Sequence, residues 1–301
     1  MTDISIIVIS YNTKDITKKC LQTLLTSLEK TLEVSSEIIV VDNGSMDGST
    51  EMLKKIKEKC KKIESKIKIK LLESNENLGF ARANNMALSI ALGKYILFLN
   101  SDAIIKDVNF EDLIYYLDKN PEVGVVTVKI ILPNGDIDWA SHRGTPTIWR
   151  SFSYFSKLEI LFSHIPKLAK LFGGYHLKHL DLNTIHEIDS PSGAFYLTRK
   201  DILDKTGGFD TRYFMYGEDI DLSHRIKKMG FKIIYYPLFI VIHMKYKSGL
   251  KRGLRKTEVK TKNYFYDAMK IFYDKHFGDN NGRLKNRLVH FFIDMKKKST
   301  Q

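Results

Sequence analysis

Cysteine is nearly absent: Cys20 and Cys60 are the only two in 301 residues. Both lie in helix-like stretches containing lysine, so they supply neither a disulfide framework nor zinc spacing, and a reducing cytosol is the expected compartment. No apolar run approaches the length of a transmembrane helix, and Met1 to Ser10 leads straight into a strand-like run rather than a signal peptide. No G-x-G-x-x-G follows that first run and no G-x-x-x-x-G-K-[ST] occurs, which argues against a dinucleotide site of the usual kind and against a P-loop. No internal repeat is present. Proline is scarce while Lys, Ile and Asn abound, a balance that genome base composition alone would produce.

Acid is in short supply relative to base: 35 Asp and Glu against 48 Lys and Arg, a net charge of +13. That balance calls for an anionic partner or a solvated lysine-rich surface; nucleic acid, an acidic bilayer and a phosphorylated small molecule all meet the first description. The charge is uneven. Residues 245–262, KYKSGLKRGLRKTEVKTK, hold eight Lys or Arg and one Glu. At 43% hydrophobic and 28% charged the chain is globular, long enough for one large α/β domain or two ordinary ones.

Short β-branched runs alternate with helical spacing through the first hundred residues. Strands are expected at 4–9, 37–41, 67–72 and 95–99, and helices at 15–28, 47–62 and 81–92, the last closed by Gly93. This cadence implies βαβ units and a mostly parallel sheet, and the runs around Ile6 and Val40 are apolar on both faces, as a sheet covered on both sides requires. Further on, 123–132 is a strand closed by a PNG turn, 193–198 a strand, 217–230 a helix, and KIIYYP and FIVIH two strands. Residues 139–187 resist parsing. From about Leu254 the chain reads as helical and basic.

Ligands bind outside the carboxyl ends of strands in open α/β sheets. Three early strands end in polar clusters: Ser10-Tyr11-Asn12, Asp42-Asn43-Gly44 and Asn100-Ser101-Asp102. Parallel pairing would align all three on one edge. A single such cluster is an ordinary turn former; three that converge describe a site. Asp102, after an oxygen-bearing Asn and Ser, suits a hard cation that fills its shell with phosphate oxygens. Asp42, an acceptor only, would select the imide N–H of a pyrimidine base.

The stretches SIIVISYN, VVDNGSMDGS, NENLGFARANNMAL, GKYILFLNSD, GAFYLTRKDILDKTGGFD, YFMYGEDIDLSHRIKKMGF and YYPLFIVIH, in that order from about residue 3 to 243, resemble family 2 glycosyltransferases of the GT-A fold, and within them the rhamnosyltransferase-like branch. The resemblance implies a Rossmann-like mixed central sheet flanked by helices. It implies a glycosyltransferase domain over 1–243, with 1–102 binding nucleotide and 103–243 acceptor, followed by a basic helical extension over 244–301. It implies an inverting sugar transfer from a nucleotide diphosphate donor, dTDP-L-rhamnose by the branch with a UDP-sugar left open, to a saccharide or lipid-linked saccharide in bacterial surface polysaccharide synthesis.

Position by position, Ser10, Tyr11 and Asn12 would border the nucleotide, Asp42 would read the base, and Asn77, Gly79 and Arg82 would lie near base and ribose. Asn100 and Ser101 complete the donor set. Asp102 and His243 would bind Mn²⁺ or Mg²⁺, although Asn100 replaces the first acid of the usual Asp-x-Asp. Lys245 and Lys247 would close over the diphosphate. Asp219 matches the general base, Glu218 and Trp139 would orient the acceptor, and His142 lies near them. The cation would stabilise the leaving diphosphate as a Lewis acid while Asp219 takes the acceptor proton.

Each of these residues also has a plain structural reading: GED as helix-opening acids, His243 as a satisfied strand-end histidine, YFMY as core. The segment 151–175 reads either as core or oligomer helices or as an interfacial element that dips aromatics into a bilayer, and the basic stretch after His243 would favour contact with the inner face of the plasma membrane. A catalytically inactive sugar-binding module, a nucleic-acid binder and a sugar nucleotidyltransferase are the competing classes. The basic stretch has few aromatics to stack bases, and SYNTKD is no Gly-rich nucleotidyltransferase loop, so nucleic acid is not an expected partner.

Overall fold

The computed structural model of the chain describes residues 2–31, 33–62, 67–245 and 255–299, with only the backbone of Lys62 and of residues 255–258. Lys247 and most of the basic stretch that follows it lie outside the described residues. The first half runs β1 (Ile4–Ser10), α1 (Lys14–Glu29), β2 (Ser36–Asn43), α2 (Ser49–Lys62), β3 (Lys68–Ser74), α3 (Phe80–Leu88) and β4 (Tyr95–Asn100). There follow β5 (Ala103–Asp107), α4 (Phe110–Lys119), β6 (Val123–Ile131), the short helices α5 (Ile148–Phe155), α6 (Leu158–Leu161) and α7 (Pro166–Phe172), then β7 (His186–Ile188), β8 (Tyr196–Arg199) and α8 (Lys200–Thr206). The chain ends with α9 (Glu218–Lys228), β9 (Lys232–His243), α10 (Arg255–Tyr273) and α11 (Arg283–Ser299).

The strands form one mixed sheet in the order β3-β2-β1-β4-β8-β6-β9-β5, with β7 also on β9. The β3-β2-β1-β4 portion is parallel throughout, and β8 pairs antiparallel to both β4 and β6. Every residue of β2 is buried. One face of β1 and β2 meets α1 through Cys20, Leu21 and Leu24. The other face meets the alanines of α3, Ala81, Ala83 and Ala87, whose small side chains let that helix approach closely. Two-sided cover is what the unbroken apolar runs require.

Several boundaries differ from the sequence reading, β8 beginning at Tyr196 rather than 193 among them, and two differences have a clear physical reason. The third helix stops at Leu88, four residues early, because the next turn is captured by the sheet. Buried Glu37 accepts the Leu92 amide at 2.7 Å and the Ser5 hydroxyl at 2.6 Å, and Ser5 Oγ accepts the Gly93 amide at 2.8 Å. Gly93 is therefore not a helix stop but a point of close backbone approach. KIIYYP and FIVIH, expected as two strands, are one strand, β9. Pro237 cannot donate to a ladder, and the β6 register slips there from Val128↔Tyr236 to Lys129↔Ile240. The strand β5 and helix α4 were not expected from the sequence, although Asn109 caps α4 by accepting the Glu111 and Asp112 amides.

Helix α10 and the turn after it lie against α9, and α11 packs on α10. Ala268 and Phe272 of α10 pack on Tyr213, and Asp221 of α9 binds Lys275 at 2.7 Å and His276 at 2.8 Å. Among the described residues no helix is long and apolar enough to cross a membrane.

A Cβ added at Gly93 would sit 2.4 Å from the Ser5 amide nitrogen. Gly93→Ala is therefore expected to destabilise the fold by about 1–3 kcal/mol in urea melts, as overpacking does. A neutral outcome would mean that the α3–β4 turn is not held as described.

Candidate functional site

The parallel register does align the strand ends. Ser10 stands beside Asp42 and Ile9 beside Asn100. The edge so formed is one wall of a cavity of about 1980 Å³, lined among others by Tyr11, Asn12, Asn100, Ser101, Asp102 and His243. Glu218 and Asp219 line the same cavity from the start of α9. Asn77 and Gly79 border it as well. Gly79 has φ +79, and a Cβ there would lie 2.5 Å from the Phe214 carbonyl, so this rim position demands glycine.

His243 comes to Asp102 because β9 pairs antiparallel with β5, His243 opposite Ala103. Its Nε2 lies 3.2 Å from Asp102 Oδ1 and 3.4 Å from the Asn100 amide. Its Nδ1–H donates to Asp138 Oδ2 at 2.7 Å, and Lys245 Nζ holds the other Asp138 oxygen at 2.7 Å. Burial disfavours charge on the imidazole, but the bonds to Asp102 and Asp138 outweigh it and raise His243 to about 9. Burial likewise works against ionised Asp138, yet His243 and Lys245 hold its carboxyl well below the usual range.

Elsewhere on the cavity wall, Arg143 Nη2 donates to Asp219 Oδ2 at 2.7 Å and to the Pro191 carbonyl at 2.8 Å, a buried ion pair. Asp219 Oδ1 accepts the Ile220 amide at 2.8 Å. Glu218, one residue earlier, is 7% exposed, and its Oε2 has no hydrogen-bond partner among the described residues. Burial first, then the Asp219 charge, raise its carboxyl to about 8. Two adjacent acids thus differ in kind: one fixed by a guanidinium, the other protonated near neutrality.

Other residues chosen from the sequence are not on the cavity wall. Ser10 is buried in a hydroxyl cluster with Thr13 and Thr17. Asp42 is 2% exposed; its oxygens accept the Ser45 amide and the Thr50 hydroxyl, which makes it a brace for the turn after β2. Its neighbour Asn43 lines the cavity instead and joins Asn77 and Leu78. Arg82 is exposed on α3 away from the lining. Trp139 lies under the Lys178 ammonium and beside His142 and His176, and His142 is bonded to His186 at 2.7 Å, so neither borders the cavity. Trp149 of α5 does. Asp138 and Arg143 went unnoticed because both flank or enter the unparsed segment, with no motif to mark them.

Residues 5–181, more than half of the chain, match the sequence profile described as Glycosyl transferase family 2. The chain belongs to that family. An N-acetylglucosaminyl-diphospho-decaprenol L-rhamnosyltransferase of Mycobacterium tuberculosis is 26% identical over 237 residues, 75% of this chain and 72% of that relative. A poly-beta-1,6-N-acetyl-D-glucosamine synthase of Staphylococcus aureus is 28% identical over 206 residues, 67% of this chain but only 41% of the synthase. Among solved structures, the mannosyltransferase PcManGT from Pyrobaculum calidifontis, in complex with GDP-Man and Mn²⁺, aligns with a TM-score of 0.55 at 18% identity, covering 93% of this chain and 65% of that one. S. aureus TarS 1-349 in complex with UDP-GlcNAc aligns at 0.53 and 18% identity, over 90% of this chain and 65% of that one. The fold of this family 2 glycosyltransferase is accordingly GT-A, as its mixed sheet is.

Among the described residues no three His, Cys, Asp or Glu side chains converge to hold a metal unaided. Once its Nε2 gives up its proton, His243 joins Asp102 in a donor set that fits a divalent cation taking its remaining ligands from phosphate oxygens and water. Asp138 behind the imidazole is the carboxylate such a histidine ligand ordinarily has.

The Glu218 carboxyl sits above its ordinary value, so the folded state retains a proton that the unfolded chain releases. Stability contributed by protonated Glu218 is present at low pH and falls as pH rises from about 4.5 to about 8. Glu218→Gln should match the wild-type melting temperature near pH 5 and exceed it near pH 8; equal melting at both would refute the burial argument. Arg143→Met leaves Asp219 buried without its cation and is expected to cost about 3–5 kcal/mol in denaturant melts.

Proposed function

We propose that this family 2 enzyme is an inverting, cation-dependent hexosyltransferase that moves L-rhamnose from dTDP-L-rhamnose to a saccharide or lipid-linked saccharide during bacterial surface polysaccharide synthesis. The observation that carries the reading is the pairing of the Asp102–His243 dyad with the Glu218–Asp219 dyad across a single cavity. The mycobacterial relative, whose printed name is that of an L-rhamnosyltransferase acting on a diphospho-decaprenol sugar, supports both donor and acceptor. The S. aureus synthase and the UDP-GlcNAc complex support a UDP-sugar as the second reading of the donor.

In this account Tyr11, Asn12, Asn43 and Asn77 hold the nucleoside, and Asn100, Ser101 and Lys245 reach its ribose and diphosphate. Asp102 and His243 would hold Mn²⁺ or Mg²⁺, which would supply Lewis-acid neutralisation of charge on the diphosphate. Asp219 accepts the proton of the acceptor hydroxyl as that oxygen attacks from the face opposite the diphosphate. Arg143 keeps its carboxylate in one position. Glu218, carrying a proton near neutrality, donates a hydrogen bond to the acceptor and keeps a second negative charge away from the base. Apolar walls from α5 and α10 exclude water. Residues 1–243 are taken as the catalytic domain, with 244–301 as an extension that also supplies cavity wall. The cytoplasmic side of the plasma membrane is the proposed location.

A panel of nucleotide sugars, incubated with and without Mn²⁺ or Mg²⁺, tests the reading. dTDP-L-rhamnose should be hydrolysed or transferred fastest and only with the cation. Asp219→Asn should lower kcat by about 10²–10⁴-fold with the donor KM little changed. Asp102→Ala should raise the donor KM at least about tenfold, the loss of roughly 1.4 kcal/mol of binding or more. Full transfer by Asp219→Asn would remove the base assignment. Nucleotide binding without turnover of any donor would favour the inactive sugar-binding module.

A further inference from the structure

Helix α11 is built inside out. Its protein-facing side is held by polar bonds: His290 to Asp274 at 2.7 Å, Asp294 to Lys270 at 2.6 Å, Lys297 to Asp267 at 2.7 Å, and Asn286 to the Tyr273 hydroxyl at 2.8 Å. Ile293 is buried with them. The other side carries Leu284, Leu288, Phe291 and Met295, spaced to fall on successive turns of one face, with Phe292 at its edge. These five are between 46% and 74% exposed. An amphipathic helix of a water-soluble surface would turn that stripe to the core.

Helical spacing sets Lys285 and Lys296 along one flank of the stripe and Arg287 and Lys298 along the other. The helix has a single acid, Asp294, already bonded to Lys270. A large apolar face bordered by cations on both sides is the pattern of a helix lying in the plane of a membrane interface, with side chains in the acyl boundary and ammonium groups at anionic headgroups. A second copy of the chain fits poorly, since a two-fold pairing of α11 stripes would bring these basic flanks together. The stripe also joins the catalytic cavity. Phe292, Met295 and Lys296 line it from α11, while Trp149, Phe152 and Phe155 line it from α5. The segment α5–α7 adds exposed Ile160, Leu161, Ile165 and Leu171.

We propose that the outward stripe of α11 is a membrane-docking surface for an anionic bilayer, seating the mouth of the cavity at the lipid surface. That a lipid-linked acceptor then enters from the bilayer rests on the functional reading above; the docking itself does not. The stripe residues Leu288 and Phe291 do not line the cavity, so their replacement separates docking from chemistry.

The test is co-sedimentation of the full chain with phosphatidylcholine vesicles, with and without phosphatidylglycerol. Wild type should bind the mixed vesicles, bind pure phosphatidylcholine more weakly, and be released by salt. The double substitution Leu288→Glu with Phe291→Glu should weaken binding at least about tenfold, with the melting temperature and donor hydrolysis unchanged. Leu238→Glu, at an exposed apolar site on β9, should bind as wild type does. Undiminished binding by the double variant, or no binding by wild type, would overturn the proposal. So would light scattering that shows a wild-type dimer turned to monomer by the double variant, since the stripe would then be covered by a second copy. Vesicle binding by wild type without turnover of any donor would count against the proposed chemistry alone.

Discussion

The contact between His243 and Asp102 is the constraint on which the site depends. It joins the end of a parallel strand, β4, to the end of a distant strand, β9, through the short hairpin-like neighbour β5. An imidazole and a carboxylate, two groups of opposite potential charge, are held 3.2 Å apart in a nearly dry position. Asp138 makes this tolerable by fixing the Nδ1 side of the ring and taking Lys245 on its second oxygen. A chain of alternating charge, Asp102–His243–Asp138–Lys245, results, with Asp102, His243 and Lys245 on the cavity wall and Asp138 buried behind them. Without Asp138 the imidazole would have no reason to turn Nε2 toward Asp102.

The start of α9 is used in two directions. Glu218 and Asp219 open α9 into the cavity, where Arg143 anchors the second of them. Two residues on, Asp221 points the other way and binds Arg225, Lys275 and His276. Burial would raise the Asp221 carboxyl, but these partners lower it to about 2. The same turn that opens the acids into the cavity thus fastens the C-terminal helices to the domain. Those helices complete the cavity with Lys260, Tyr264, Phe265 and Ala268, so the extension is part of the site and not an appendage to it.

Much of this was legible in the sequence. The carboxyl-edge argument located Tyr11, Asn12, Asn100, Ser101 and Asp102 because parallel strands with polar ends admit few other arrangements. It misjudged Asp42 and Ser10 because a strand's last residues alternate in direction: Asn43 looks into the cavity while Asp42 braces the turn beneath it. Trp139 was named from the resemblance, while Trp149, which does line the cavity, carried no signal, since nothing in the unparsed segment tells which indole faces it. Asp138 and Arg143 were invisible. Each acts through a partner more than seventy residues away, His243 and Asp219, and no local pattern encodes such a pairing. Gly93 misled because glycine at a helix end and glycine at a close backbone approach look alike in sequence.

The central claim is that Asp102 and His243 jointly face the diphosphate of a nucleotide sugar through a cation. Anomalous diffraction at the manganese edge, on crystals grown with a nucleoside diphosphate and Mn²⁺, addresses it most directly. The account predicts one peak in ligating contact with Asp102 Oδ1 and His243 Nε2 and with oxygens of the diphosphate. A diphosphate bound in the cavity with no peak beside Asp102, or a peak held by other residues, would contradict it.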